Sequence, residues 1–98
     1  MAYRTEILPF ARNQIARWGL PDGVLVEVYL QLNETLQSDP KQHLLPNNDE
    51  RGGMLFYFDV VNPENRLRQH SFAFRVFYSQ DEQTLLIASG VYRMDIGF

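Results

Sequence analysis

Apolar and polar positions follow two different periods along this chain, and the change between them divides it in half. Tyr3 to Leu8 is short, β-prone and closed by Pro9, and it predicts a strand. From Phe10 to Trp18 the spacing becomes helical, with Phe10, Ile15 and Trp18 able to share a stripe flanked by Arg12 and Arg17. Gly19-Leu20-Pro21-Asp22-Gly23 breaks that pattern. A second helix is expected from Pro21 or Asp22 to Gln37. Val24, Val28 and Leu32 recur at i+4, with Leu25, Tyr29 and Leu36 alongside. Asp22 is placed to cap this helix, and Pro40 stops it. The polar run 38–53, with Pro40, Pro46, Asn47, Asn48 and Gly52-Gly53, reads as a long connecting loop, a length that in compact domains often carries function.

The second half alternates. Met54 to Val61 is apolar and aromatic, and Asn62-Pro63-Glu64-Asn65 is a turn. In His70 to Tyr78, Phe72, Phe74, Val76 and Tyr78 share one face, and Ser71, Ala73, Arg75 and Phe77 share the other. Asp81-Glu82-Gln83 is a second turn. Thr84 to Val91 is a third strand, followed by a polar tail from Tyr92 to Phe98. The order β-α-α-β-β-β predicts one α+β domain over 1–98, with the helix pair on one face of an antiparallel sheet.

Composition narrows the chemistry. The chain has 98 residues, no cysteine, and 9 Lys+Arg against 12 Asp+Glu, a formal charge of −3. Disulfides and thiolate chemistry are excluded. Two histidines, His43 and His70, do not form a metal-ligand spacing, so neither a metal nor another cofactor is expected. No apolar run is long enough to span a bilayer, and the N-terminus lacks a signal pattern, so a cytoplasmic location away from membranes is expected. Overall acidity argues against sequence-blind nucleic-acid binding. Yet eight of the nine basic residues are Arg, the side chain suited to bidentate capture of phosphate or carboxylate.

Arg75 is out of pattern, since it interrupts a run of aromatics in mid-strand. Burying a charge is costly unless it is paired. Either it forms a cross-strand pair with Asp59, or it waits for a phosphate with Arg68, His70, Tyr92 and Arg93 around the same cleft. The second arrangement suits RNA cleavage by the neighbouring 2′-hydroxyl. Arg stabilises the developing charge, His moves the proton, and rings such as Tyr57 and Tyr92 stack on a splayed base. Tyr57, Tyr78 and Tyr92 equally fit an amphipathic rim.

Three segments resemble the RelE/ParE-like toxin superfamily of bacterial type II toxin–antitoxin systems. They are Leu36-Gln37-Ser38-Asp39-Pro40, Phe74-Arg75-Val76-Phe77-Tyr78, and Leu86 to Asp95. The resemblance implies a RelE-like, microbial RNase-like fold. It implies an antitoxin partner and one of two targets. In the RelE branch this is ribosome-bound mRNA, cut without metal. In the ParE branch it is DNA gyrase. By match to the family's motifs, Arg75 is the RNA-phosphate contact and Arg93 the second Arg. His70 would join them in catalysis, and Arg68, Tyr57 and Tyr92 would bind RNA. The chain departs from the family where Met54 to Asp59 carries no lysine and where Phe98 lacks the hydroxyl of a terminal Tyr. These departures fit an alternative, a catalytically silent relative whose apolar open face, with Tyr57 and Phe77, docks an antitoxin or a second copy in a homodimer. A third reading, a small-ligand domain using 38–53 as a lid, rests on that loop alone.

Overall fold

The computed structural model describes residues 3–46, 52–62 and 68–96. Five strands form one sheet: β1 (Arg4–Ile7), β2 (Leu44–Pro46), β3 (Met54–Val61), β4 (Arg68–Tyr78) and β5 (Thr84–Ile96), in the order β1-β5-β4-β3-β2. Helices α1 (Pro9–Arg17) and α2 (Asp22–Leu30) supply the buried side chains that meet one face of the sheet. The α+β class and the helix pair on one face are as expected. The sheet itself is mixed rather than antiparallel, because β1 pairs in parallel with β5, Arg4 to Ile7 against Thr84 to Ile87. The intervening helices carry the chain far enough for a parallel return, which no hairpin allows.

Each helix starts and stops for a local reason. Pro9, expected to close the first strand, occupies the first helical position, where its missing N–H costs nothing. Ala11, Ile15 and Trp18 form the stripe of α1, and Phe10 instead points outward, 64% exposed. The i+4 ladder of α2 is buried throughout, with Val24, Val28, Leu32 and Leu36 all at 0% exposure. The helix runs on from Leu30 through a π-helical turn, Gln31–Thr35, into Leu36–Ser38. An i+4 ladder drifts about 40° per step on a 3.6-residue helix, and the wider turn takes up part of that drift. Thr5 of β1 donates to Asn33 Oδ1 (2.8 Å) and accepts from Gln37 Nε2 (2.9 Å), which ties this turn to the sheet edge. Asp22 lies inside the first turn and makes no cap hydrogen bond. Pro21 holds the cap position.

The stretch 38–53 is not one long loop. Asp39 caps a single helical turn, Pro40–His43, by accepting from the Gln42 N–H (3.3 Å). Leu44–Pro46 then adds β2 to the sheet edge, Leu44 opposite Phe56. The lid reading loses its basis at these residues, and 47–51 lie outside the described residues. The turn 62–65 falls outside them from residue 63 onward. In the β4–β5 turn, Asp81 accepts from the Ser79 hydroxyl and from the Gln83 N–H (3.0 Å). These bonds hold its carboxyl below the usual carboxylate range.

The strand β5 does not end at Val91 but continues to Ile96, so the expected polar tail is largely strand. It also changes phase. Arg75 pairs with Ser89 and Val76 with Ile87, which leaves Ala88 as an extra residue, a β-bulge. Before the bulge Leu85 and Ile87 are buried. After it Gly90 is buried and Tyr92 is half-buried, while Val91 and Arg93 are exposed.

Candidate functional site

The face of the sheet opposite the helices is open, and three cross-strand rows cover its centre. They are Leu55–Arg75–Ser89, Tyr57–Ala73–Val91 and Asp59–Ser71–Arg93, read from β3 through β4 to β5. The burial pattern confirms the face. Phe72, Phe74 and Val76 are buried against the helices, while Tyr57, Val91, Asp59 and Arg93 are exposed.

Arg75 is half-buried and held in place. Its Nη1 donates to the Gly52 carbonyl at 2.6 Å. Gly52 and Gly53 sit at φ +72° and +82°, and Gly53 lies over Phe77 and the Arg75 stem. A Cβ on Gly53 would stand 2.9 Å from Phe77 Cζ and 3.2 Å from Arg75 Cγ. The pair of glycines is therefore turn chemistry that also positions a guanidinium. Gly53→Ala should cost about 1–3 kcal/mol in urea unfolding, from left-handed strain and overpacking together. An unchanged midpoint would show that the turn moves freely.

The Arg75–Asp59 pair allowed by the sequence is not made. Asp59 faces Ser71, and Arg75 faces Leu55. Four residues of strand separate the two rows, about 13 Å, beyond the combined reach of the side chains. The same spacing separates Arg75 from Arg93. The two guanidiniums are therefore rooted at separate ends of the face, not side by side.

The other expected site residues divide between the faces. Tyr57 is on the open face, 53% exposed. His70 is not in that cleft: it is 2% exposed on the helix side, opposite Val60 and Met94. Its Nδ1 lies 2.6 Å from Tyr92 Oη, and the two rings stack at 5.6 Å. Tyr92 also turns inward, against Trp18 and Phe72. The physical reason is parity. His70 shares the even-numbered face of β4 with Phe72, Phe74 and Val76, and the bulge at Ala88 gives Tyr92 the same side. Backbone pairing sets Arg68 opposite Ile96. Alternation alone could have separated His70 from Arg75, and the residues missed beforehand are Ser71, Val91 and the Gly52 carbonyl. Among the described residues no group of three His, Asp or Glu is placed to hold a metal, and no helix is long and apolar enough to cross a membrane.

No protein-family model and no curated protein matches this sequence. A solved structure does match: the toxin–antitoxin complex RelBE2 from Mycobacterium tuberculosis, with a TM-score of 0.63 at 18% identity, covering 95% of this chain and 100% of that chain. The chain has the RelE-like fold. Here an acidic residue and two arginines share the open sheet face, and the one histidine of β4 is packed beneath it.

Proposed function

We propose that this chain is the toxin member of a toxin–antitoxin pair, acting on ribosome-bound mRNA through the open face of its sheet. The carrying observation is that Arg75 and Arg93 occupy one face of the central strands, with exposed Tyr57 between their rows. Arg75 is pre-positioned by the Gly52 carbonyl, so less side-chain entropy is lost when it meets a phosphate. A charge-assisted, planar fork suits the developing charge of a cleaving phosphodiester. The RelE-like fold supports an antitoxin as the protein partner, since the similar structure is a toxin–antitoxin complex.

One observation favours a second reading, a relative that binds without cutting. The group best suited by its ordinary pKa to move a proton, His70, is buried on the other face. Tight induction of the wild type and of Arg75→Ala in a bacterial host separates the two. Growth arrest with mRNA cleavage, lost in Arg75→Ala, is the expected result. Arrest with intact mRNA would move the target to gyrase or another protein, and no arrest from soluble, folded protein would favour the binding-only relative.

A further inference from the structure

We propose that a second copy of the chain covers the open face of the sheet, in a two-fold dimer held in register by reciprocal Asp59–Arg93 ion pairs. Asp59 is exposed, and among the described residues it makes no hydrogen bond or ion pair. Arg93 stands in the same row, two strand spacings away, about 9–10 Å at the backbone. The rest of the face around Asp59 is Tyr57, Ala73, Val91 and Ser71. A carboxylate so placed attracts a cation from outside the chain.

A second copy carries that cation in the right place. Half a turn about the line of β4 lays β3 of each copy over β5 of the other. Aligned stacking of this kind is usual for two twisted sheets, about 10 Å apart. Each cross-strand row then meets its own reverse. Asp59 meets the partner's Arg93, Tyr57 meets the partner's Val91, and Leu55 meets the partner's Ser89. In all three rows a long side chain crosses a short one, as a gap of constant width requires. Over β4 the small Ser71 and Ala73 meet their own copies. The depression that they floor, about 280 Å³, takes the partner's Tyr57 ring. Arg75 is the one like-charged meeting. Its guanidinium is drawn aside to the Gly52 carbonyl, just before β3, so the two lean away from the axis in opposite directions.

The other way of stacking the faces, with the two-fold axis across the strands, sets Asp59 over Leu55 and Arg93 over Ser89 and makes no ion pair. Charge complementarity therefore selects the first arrangement. Burial of Tyr57 and Val91, 53% and 69% exposed, supplies attraction, and the ion pairs fix register. Three rows make a small interface, so the dimer is weak and concentration-dependent. It does not depend on the mRNA reading. Where that reading holds, the dimer is the silent form, because it covers Tyr57, Arg75 and Arg93.

The test is sedimentation velocity on the wild type, on Asp59→Arg, on Arg93→Asp and on an equal mixture of these two variants. Both positions are exposed, so the core is untouched. The wild type is expected to move from monomer towards dimer as concentration rises through the micromolar range, and less so at high salt. Each variant sets like charges together at both ends of the row and should dimerise at least about tenfold more weakly. The mixture should regain wild-type association, because the two-fold then pairs the introduced charges with each other and the untouched ones with each other. Val91→Glu, in the wall of the depression, should weaken the dimer without altering either ionic partner. A wild type that stays monomeric, as it would if the face were kept for another protein, overturns the proposal. So does a dimer that survives Asp59→Arg and Val91→Glu, or a mixture no more associated than either variant alone. Cleavage is read separately, from mRNA integrity, so each of these failures leaves the mRNA reading standing.

Discussion

Gly90→Val should leave little folded protein, and Gly90→Ala should already lower stability by about 1–3 kcal/mol, the usual cost of overpacking a core. Gly90 is buried in β5 directly opposite Phe74. A Cβ there would stand 2.6 Å from Phe74 Cε1 and 2.9 Å from Trp18 Cη2. Neither ring has room to withdraw. Phe74 is 0% exposed and stacks on Phe58 at 5.9 Å, while Trp18 is packed against Phe72 and Tyr92. The same residue docks α1, because the Gly90 N–H donates to Gln14 Oε1 at 2.7 Å. Two effects oppose each other. Replacing a strand glycine with alanine gains up to about 1 kcal/mol from the unfolded chain. Overpacking against two fixed rings is the larger effect, and with Val it grows to a large part of the roughly 5–15 kcal/mol that holds a domain together. Urea unfolding of Gly90→Ala, alone and with Phe74→Leu, measures this. The double variant should recover part of the loss. A Gly90→Ala protein as stable as the wild type would show that the aromatic cluster yields.

Deleting Ala88 should, by contrast, be survivable. The bulge is the reason that odd-numbered Leu85 and Ile87 are buried before it and even-numbered Gly90 after it. Ala88 is the surplus residue, so without it Ile87 still faces Val76 and Ser89 still faces Arg75. Every position from Ser89 onward keeps its face, with Val91 and Arg93 outside and Gly90 and Tyr92 inside. What is lost is the local bend and twist of β5. A folded, cooperatively unfolding protein is expected, destabilised by about 1–3 kcal/mol in urea unfolding, whereas Ala88→Gly, which keeps the bulge, should lose about 1 kcal/mol or less. A deletion variant that does not fold would show that the bend itself is needed to dock β5 on the helices.

The open face depends on the same bulge. Arg75 reaches it through simple alternation in β4, but Arg93 reaches it because of the bulge. The candidate site is thus assembled from one feature that periodicity reveals and one that it does not. The Gly52 carbonyl that anchors Arg75 is a third kind of feature, a backbone atom supplied by a turn 23 residues away in sequence. Side-chain types cannot announce it.

Local periodicity was enough for much of the fold. The i+4 ladder from Val24 to Leu36, the alternation of Phe72, Phe74 and Val76, and the bounds of β3 all follow from burial on one face of a regular element, which short stretches of sequence encode directly. Alternation, carried two residues further, would have put His70 with the buried aromatics, but its chemistry assigned it to the cleft, and the structure corrects that. What needed the tertiary structure was everything set by a partner distant in the chain. Pairing of β1 with β5 depends on where the helices return the chain. The edge strand Leu44–Pro46 is too short to carry a period and exists because Phe56 and its neighbours offer it hydrogen bonds. The bulge at Ala88 satisfies two packing demands at once, buried isoleucine before it and a glycine beneath Phe74 after it. Sequence by itself determined which residues want to be inside. Only the assembled sheet decided which of the others stand together on the outside, because that choice is made by register, and register is a property of pairs of strands.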